Sequence, residues 1–362
     1  MRIKKYTIFA AQNSGSVVQL VRIHACHAWG RGFEPRPDRK KLGSLPSFFI
    51  LKKCTMTKTL IVGSIAFDAI ETPYGKTDKI IGGAGTYICF SSSYFTKPYA
   101  LAVVGGDFPQ AYINKLQQRG VVTDGLQVKI DEKTFFWAGK YYDNMNKRDT
   151  LVTELNVLEH FDPIVPDSYQ GADYVMLGNL SPIVQRQVIE RLHVRPKLIV
   201  MDTMNFWMDI LLDELLKTIA LVDVLTINEE EARQLSGEYS LPIAAKKIMA
   251  MGPRFVIIKK GEHGALLFCD NQMFYAPALP LETVIDPTGA GDTFAGGFIG
   301  YIAQQNNIDF ETMKAALIVG SAMASFTVEK MGTENIEQLT TSQIALRIEQ
   351  FRKLTDYSVQ SK

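Results

Sequence analysis

A glycine-rich stretch that contains a carboxylate offers the clearest chemistry in this sequence: residues 286–297 read DPTGAGDTFAGG. The stretch joins a predicted extended segment, residues 274–285, to an apolar segment that predicts a long helix from about Ala290. A glycine-rich turn that opens a helix leaves the first backbone N–H groups without intrahelical partners, at the positive end of the helix dipole. Such a turn is an anion-binding site.

Asp292 places a carboxylate in the positive pocket that this turn builds. An acid that only capped the helix could equally be Ser or Thr, whereas an acid beside a bound phosphate can accept a proton from an attacking hydroxyl group. The turn and the carboxylate together suggest phosphoryl transfer. A glycine-rich N-cap with a capping Asp is the structural alternative.

The whole stretch closely resembles the C-terminal signature of the ribokinase-like (PfkB) family of sugar and nucleoside kinases. The resemblance implies that Asp292 is the catalytic base and that the amides of Gly289, Ala290, Gly291 and Asp292 hold the transferring phosphoryl group. It covers residues 58 to about 335. It also implies ATP as the phosphate donor, with Mg²⁺ at the phosphates.

Asp68 ends the string GSIAFD, which we place at the end of the first strand. A carboxylate there can accept hydrogen bonds from two sugar hydroxyls and hold the acceptor while its attacking hydroxyl points to Asp292. A helix N-cap or a turn residue is the structural alternative. GSIAFD resembles the first-strand motif of the family, and this resemblance favours a sugar-binding role.

The string GGAG at residues 82–85 precedes an apolar helix that begins near Thr86. Gly82 and Gly83 would let the backbone approach a ligand closely, although a plain tight turn would use glycines too. In the family a paired glycine here contacts the acceptor, and an Asn that binds the acceptor commonly follows. Tyr87 stands in the place of that Asn. We therefore predict that nucleosides or substituted sugars are better acceptors than ribose or fructose.

Asn228 and Glu231 lie in the string NEEE, which follows an apolar strand and begins a helix. Asn is a good N-cap and acidic residues are common in a first helical turn, so capping by itself explains the pattern. The pair also matches the N-x-x-E motif of the family, which implies a role in placing hydrated Mg²⁺ near the phosphates. Mg²⁺ keeps most of its waters and needs few protein ligands.

Lys260, Gly261 and Gly264 lie in KGEHG, directly after the predicted strand FVIIK. Glycines leave room for a backbone that approaches ATP phosphates, so we interpret the string as a nucleotide-side loop, with a hairpin turn as the alternative. Asp286 and Thr288 correspond to positions that hold a monovalent cation in some relatives of the family. The resemblance raises the same role here, with K⁺ as the ion.

Short apolar runs rich in branched residues alternate with helical segments after residue 56. Such alternation implies a mostly parallel sheet covered on both faces, whose ligands bind beyond the carboxyl ends of the strands. The resemblance implies the same α/β, ribokinase-like fold. The predicted strands are residues 59–64, 99–104, 174–177, 198–201, 222–227 and 255–258. The residues that directly follow predicted strands are therefore the ones most expected to bind ligands. They are Asp68, residues 105–107, Asn179, Asp202, Asn228 and Gly261.

Two stretches, residues 71–81 and 126–155, do not fit this alternation, and the second alternates like exposed hairpin strands. We expect both to form one small sheet over the active site, as the lid of the family does. A solvent-facing β-meander without function shares this pattern. Phe135, Phe136 and Trp137 could stack on a nucleobase, pack within the lid or contact a second copy, since lids of the family can pair into homodimers.

Composition argues against several classes of protein. Residues 1–55 hold 11 Lys and Arg against 2 Asp and Glu, which leaves 28 against 36 in residues 56–362, a balance of −8. No basic patch suggests nucleic acid, and no apolar run approaches the length of a membrane span. The four cysteines form no CxxC pair and suggest neither a disulfide framework nor a zinc site. A reducing cytoplasm fits this pattern.

Residues 1–55 lack sustained periodicity, and we expect them to be a disordered leader that is not native to the protein. The apolar segment after Lys4 and Lys5 is too short for a signal peptide, while an Arg-rich organelle presequence stays open. Codons can be chosen for residues 16–36 that also spell a transfer-RNA gene. We therefore favour a misplaced start, with Met56 as the first residue of a kinase domain that spans residues 56–362.

The favoured function is an ATP-dependent kinase that phosphorylates a hydroxyl group of a sugar or nucleoside. The string GxxxxGK[ST] of P-loop kinases is absent from the sequence, as is GxGxxG after a strand. A ligand-binding or regulatory protein that kept the fold and lost catalysis is the alternative. The departure at Tyr87 supports this alternative, but the retained Asp292 argues against it because a binding protein needs no base.

Overall fold

Strands and helices alternate along residues 57–356, the part of the chain that the structure, a computed structural model, describes. The strands are β1 (Lys58–Val62), β2 (Ala66–Thr72), β3 (Gly75–Lys76), β4 (Ile80–Gly82), β5 (Lys97–Gly105), β6 (Val122–Lys129), β7 (Phe136–Tyr141), β8 (Arg148–Glu154), β9 (Tyr174–Leu177), β10 (Leu198–Asp202), β11 (Val224–Asn228), β12 (Phe255–Lys259), β13 (Ala265–Cys269) and β14 (Gln272–Ala276). The helices are α1 (Ala84–Ser92), α2 (Gln110–Gln118), α3 (Pro182–Glu190), α4 (Asn205–Ile210), α5 (Leu212–Ile219), α6 (Glu229–Ser236), α7 (Leu241–Met249), α8 (Ala290–Gln305), α9 (Phe310–Thr327) and α10 (Thr341–Thr355). The predicted leader, residues 1–55, lies outside the described residues.

The predicted apolar runs form the centre of a large sheet with the order β14-β13-β12-β11-β10-β9-β1-β5-β6. From β6 to β12 in this order, each strand is parallel to the next. The hairpin of β13 and β14 extends the sheet in antiparallel fashion. The prediction of a mostly parallel α/β sheet is therefore confirmed.

Alternate residues of β1 point to opposite faces of the large sheet, and each face carries its own apolar core. Ile61 packs in the core that includes α1, α8 and α9, whereas Leu60 and Val62 pack in the core that includes α3, α5 and α7. None of these three side chains is more than 1% exposed. Burial on both faces requires apolar residues at every position, which explains why the central strands read as continuous apolar runs.

The two stretches predicted for the lid contribute to a second sheet, which has the order β3-β2-β7-β8 with β4 also paired to β2. Residues 126–129 differ from the prediction, because they belong to β6 and pair with β5 in the large sheet. Asp68 differs too: the first strand ends at Val62, and Asp68 lies inside β2, opposite Ile80 of β4. The role of this small sheet as a lid stays a prediction.

The extended segment predicted before the glycine-rich stretch is shorter than expected. β14 ends at Ala276, and a loop leads from there to α8. The carboxyl ends of β10, β11 and β12 bring Asp202, Asn228 and Lys259 to the same edge of the large sheet. Ligands of parallel sheets bind at this edge. Across residues 57–356, we find no helix with the length and apolarity needed to cross a membrane.

Candidate active site

The glycine-rich turn before α8 is braced by Asp286, which is completely buried. One carboxylate oxygen of Asp286 accepts the Thr288 N–H at 2.8 Å, and the other accepts the Gly332 N–H at 2.8 Å. The two bonds tie the turn to the segment that follows α9. The monovalent-cation site expected at Asp286 and Thr288 would therefore use a carboxylate whose two oxygens already accept backbone hydrogen bonds.

The first turn of α8 presents free backbone N–H groups. Gly289, its N-cap, has a φ of 72°, a left-handed conformation that favours glycine. The Ala290 N–H donates to the Pro287 carbonyl at 3.2 Å, whereas the N–H groups of Gly291 and Asp292 have no backbone partner among the described residues. The positive end of α8 thus offers two free donors to an anion, and the Ala290 amide predicted to share this task is already engaged.

Asp292 is half-buried in the first turn of α8. Burial raises the pKa of its carboxyl group to about 7, and the negative charge of Asp202 acts in the same direction, while Lys259 and Arg148 oppose the rise. A general base is most effective when its pKa lies near the working pH. With a pKa near 7, the carboxyl group of Asp292 is partly deprotonated at neutral pH, and its deprotonated form can accept a proton.

Asp68 lies beside the glycine pair at the start of α1, where it is 4% exposed. A Cβ on Gly82 would lie 1.9 Å from Oδ2 of Asp68, so only glycine permits this approach. The Gly83 N–H donates to the same oxygen at 3.4 Å. Burial raises the pKa of Asp68 to about 7, the Gly83 N–H opposes the rise, and the charges of Asp286 and Asp292 add to it. Asp68 and Asp292 are thus close enough to influence each other, as a shared site requires.

Tyr87 lies beneath the glycine-rich turn. Its ring packs so closely against Gly289 that a Cβ there would lie 2.4 Å from Cζ. Tyr87 is 1% exposed, and within the described range its hydroxyl has no hydrogen-bond partner. The side chain therefore supports the turn by packing. This packing differs from the acceptor contact expected of Tyr87, and its role in acceptor binding stays a prediction.

Tyr87→Phe should leave the acceptor KM within about twofold of wild type and preserve or raise the melting temperature, because it removes only a buried hydroxyl without a partner. Tyr87→Asn should instead lower the free energy of unfolding by about 3 kcal/mol, since it empties the space beneath Gly289. Thermal melts and acceptor titrations measure both. If Tyr87→Phe melted normally but its acceptor KM rose by about tenfold or more, the hydroxyl would be a ligand contact after all.

Asn228 and Glu231 form a reciprocal helix cap at the start of α6. The Asn228 side-chain oxygen accepts the Glu231 N–H at 2.8 Å, and the Glu231 carboxylate accepts the Asn228 N–H at 2.7 Å. This is the structural alternative expected for the pair. Burial raises the pKa of Glu231 to about 7, with Lys259 opposing the rise and Asp202 adding to it. Glu231 therefore belongs both to the cap and to a charged cluster at the sheet edge, which consists of Asp202, Glu231, Lys259, Asp292 and Arg148.

A cavity of about 1090 Å³ lies next to the glycine-rich turn and is lined by Gly261 and Gly264 of the predicted nucleotide-side loop. Lys260 does not line it, but the preceding residue, Lys259, does. Gly264 has a φ of 83°, and a Cβ there would lie 2.1 Å from the Ala276 carbonyl oxygen, so this position requires glycine. The cavity is where a nucleotide could lie along the first turn of α8.

The turn between β7 and β8 reaches the rim of this cavity. Asn146 donates from Nδ2 to Oε1 of Glu262 at 2.9 Å, which joins the small sheet to the nucleotide-side loop. A Cβ on Gly261, which has a φ of 54°, would lie 2.5 Å from Oδ1 of Asn146. The glycine at this position therefore lets the small sheet approach.

The aromatic residues predicted for the lid are engaged in packing. Phe136 packs against the core that includes α1 and α8. The Arg148 guanidinium lies 5.2 Å from the centre of the Trp137 ring, and the Trp137 indole N–H donates to Thr150 at 3.4 Å. Phe135 is half-buried. Packing within the lid, one of the three alternatives for these residues, is thus present for Phe136 and Trp137.

Lys259 and Arg148 belong to the charged cluster, although no sequence motif pointed to them. Nζ of Lys259 donates to both carboxylate oxygens of Asp202, at 2.9 and 3.0 Å. Arg148, at the start of β8, opposes the burial-driven rise in the pKa of Asp68, Glu231 and Asp292 alike. The one feature of the sequence that could have indicated Lys259 is its place at the end of a buried strand. Arg148 could not have been found in this way, because it lies in a hairpin whose charged residues are mostly exposed.

Comparisons with known proteins identify the family of this chain. The model of the pfkB family of carbohydrate kinases matches residues 56–339. A cytidine kinase from Thermococcus kodakarensis is 28% identical over 254 residues, which are 68% of this chain and 89% of that protein. A nucleoside kinase from Methanothermobacter thermautotrophicus is 26% identical over 307 residues, covering 76% of this chain and 90% of that protein.

Solved structures show the same fold. The crystal structure of the nucleoside kinase of Methanocaldococcus jannaschii, described as an archaeal member of the ribokinase family, aligns with a TM-score of 0.66 at 20% identity. The alignment covers 82% of this chain and 99% of that chain. The family match includes the glycine-rich turn, Asp68 and Asp292. The chain belongs to the pfkB family of carbohydrate kinases.

Proposed function

We propose that this kinase transfers the γ-phosphoryl group of ATP to a hydroxyl group of a nucleoside, with Asp292 as the general base. As a member of the pfkB family, the chain is a phosphotransferase. The observation that carries the finer proposal is the position of Asp292, which lies at the free N–H groups of α8 and within electrostatic reach of Asp68. The base, the anion site and the carboxylate of the acceptor side are therefore neighbours.

In this mechanism Asp68 accepts hydrogen bonds from two hydroxyl groups of the sugar ring and thereby fixes the acceptor. Asp292 takes the proton of the attacking hydroxyl, whose oxygen forms a bond to the γ-phosphorus as the bond to the ADP oxygen breaks in line. The N–H groups of Gly291 and Asp292 stabilise the negative charge on the phosphoryl oxygens during transfer. The products are ADP and the phosphorylated nucleoside, and the proton leaves Asp292 for solvent.

The residues around the cavity of about 1090 Å³ fit a nucleotide. Gly261 and Gly264 expose backbone at one end, while Leu281, Val284 and Val328 supply an apolar lining that suits a purine ring. Mg²⁺ would neutralise charge on the phosphate chain, and Glu231 would hold it through water, since this ion retains most of its hydration shell. A monovalent cation at Asp286 and Thr288 stays a prediction, because each oxygen of Asp286 accepts one backbone hydrogen bond and keeps a further lone pair.

Nucleosides should be phosphorylated with a kcat/KM at least about tenfold above that of ribose or fructose, the discrimination that a few added contacts provide. The two relatives described above are a cytidine kinase and a nucleoside kinase, and Tyr87 replaces the Asn that commonly binds simple sugars in the family. ADP release, measured with a panel of nucleosides and free sugars, tests this expectation, and omission of Mg²⁺ from the assay should abolish turnover. A higher kcat/KM for ribose or fructose than for every nucleoside would contradict the proposed acceptor.

A further inference from the structure

Lys259 places a positive charge between the large sheet and the glycine-rich turn. It is the last residue of β12, and its side chain is 19% exposed. A Cβ built on Gly291 would lie 3.5 Å from Nζ, so the ammonium group lies against the first turn of α8. Lys259 also lines the cavity proposed for the nucleotide. The ammonium group is therefore accessible from the side on which the phosphates would bind.

Asp202 fixes the direction of this lysine. Its two carboxylate oxygens accept from Nζ at 2.9 and 3.0 Å, and Oδ1 also accepts the Thr203 N–H at 3.0 Å. Asp202 is 5% exposed, and its backbone carbonyl accepts from the buried amide of Gln185 at 3.0 Å. An ammonium group has three N–H donors. Both contacts go to the same carboxylate, and Nζ makes no other hydrogen bond within residues 57–356, so at least one N–H donor is free.

The surroundings of Lys259 are strongly negative. Burial lowers the pKa of its ammonium group, but the charges of Asp202, Glu231 and Asp292 outweigh this effect and keep the group protonated. A phosphoryl group is itself an anion, and its approach to these carboxylates is unfavourable in a partly buried site unless a cation lies between them. Lys259 is the cation whose position meets this need, because it touches Asp202 and lies next to Gly291.

We propose that Lys259, oriented by Asp202, donates an N–H that Asp202 does not use to an oxygen of the phosphoryl group that passes from ATP to the acceptor. This inference rests on the proposed function and adds a cation to the two backbone donors of α8. A lysine ammonium binds phosphate as a compact point charge and can serve two acceptors at once. Lys259 is then a catalytic residue, and Asp202 is a positioning residue that acts through it.

Lys259→Met keeps most of the length of the side chain and removes its charge and its N–H donors. Loss of one preorganised donor to the reacting group should lower kcat by roughly a hundredfold. Calorimetric titration with a non-hydrolysable ATP analogue should show affinity reduced by about tenfold, the effect of one charged hydrogen bond, whereas ADP should bind as it does to wild type. Lys246→Met, an exposed lysine of α7, is the matched control and should change neither quantity.

The double variant Lys259→Met with Asp202→Asn separates phosphate binding from simple charge neutralisation. If Lys259 served only to neutralise Asp202, removal of both charges would restore turnover to within about fivefold of wild type, because a neutral buried pair often replaces an ion pair at no cost. If Lys259 contacts the phosphoryl group, the melting temperature should recover relative to Lys259→Met, while turnover stays low and the ATP analogue binds no more tightly than ADP. Should Lys259→Met fail to fold, the double variant carries the comparison with wild type.

Measurements on the wild-type protein distinguish a failure of the proposed kinase function from a failure of the role of Lys259. If the wild-type protein phosphorylates nucleosides and the double variant regains turnover, the role of Lys259 is overturned and the proposed function stands. If wild type lacks kinase activity, the proposed function fails first, and equal ratios of ATP-analogue to ADP affinity in wild type and Lys259→Met would then also overturn the role of Lys259. A selective loss of affinity for the ATP analogue in Lys259→Met supports that role.

Discussion

Asp292→Asn should lower kcat by at least about a hundredfold while leaving the affinity for ATP nearly unchanged, because general-base catalysis contributes roughly that much. Asn keeps the size of Asp and most of its hydrogen bonding but cannot take a proton. The backbone N–H groups of Gly291 and Asp292 stay in place, so the anion site persists. Steady-state kinetics with a nucleoside acceptor and calorimetry with an ATP analogue measure the two effects separately.

The pH dependence of the wild-type protein provides a second test of the same role. A base acts when it is deprotonated, and burial raises the pKa of Asp292 to about 7, so kcat should rise with pH through about 7. Asp68 titrates in the same range and should contribute to the rise in kcat/KM. The residual kcat of Asp292→Asn should no longer rise with pH through about 7. Asp124→Asn, an exposed acid of β6, is the matched control and should behave as wild type. Near-normal turnover of Asp292→Asn would reduce Asp292 to a structural residue of the helix end.

Asp68→Asn should lower kcat/KM for the acceptor by about a hundredfold or more, since two hydrogen bonds from hydroxyl groups to a charged carboxylate are each worth at least about 1.5 kcal/mol. ATP binding should be unaffected because Asp68 lies on the small sheet, beside α1. Acceptor titrations at saturating ATP measure the loss. An unchanged acceptor KM and kcat would leave Asp68 as a turn residue without contact to substrate.

The same variant should stabilise the ligand-free protein at alkaline pH. The pKa of Asp68 rises from 3.8 in the unfolded reference to about 7 in the folded protein, so the folded state binds more protons between these values and stability falls as pH increases through that window. Asn cannot ionise, and Asp68→Asn should therefore melt at least about 2 °C above wild type at pH 8 but equally at pH 4.

Asp107 is a carboxylate whose pKa is shifted in the opposite direction to that of Asp68. Burial tends to raise the pKa of Asp107, but hydrogen bonds from Thr134 and the contact with Lys79 outweigh this effect and lower it. The Thr134 N–H and hydroxyl both donate to Oδ1 of Asp107, at 2.8 and 2.7 Å. Asp107→Asn should thus lower the melting temperature at pH 8. If the melting temperature at pH 8 fell for Asp68→Asn as well as for Asp107→Asn, the ionised carboxylate of Asp68 would stabilise the folded protein. That result would contradict our expectation that its buried charge is destabilising.

The sequence by itself was sufficient for the mostly parallel α/β class of the large sheet and for the residues whose contacts are local. Central strands read as unbroken apolar runs because both of their faces are buried, as Leu60 and Ile61 show on opposite faces of β1. The start of α8 could be predicted because the glycine-rich turn and the first turn of the helix are adjacent in the sequence. The helix cap formed by Asn228 and Glu231 could be predicted for the same reason, since both partners lie within four residues of sequence.

Only the tertiary structure decided which distant residues share the site. Asp202 and Lys259 are far apart in the chain, and they meet because their strands end on either side of β11 at one edge of the large sheet. Asp68 reaches the glycine pair before α1 because β2 pairs with β4 in the small sheet, and Tyr87 is buried because α1 packs against the start of α8. Sequence spacing reports the period of a single helix or strand, whereas these contacts depend on the order of strands and the packing of helices, which no local pattern encodes.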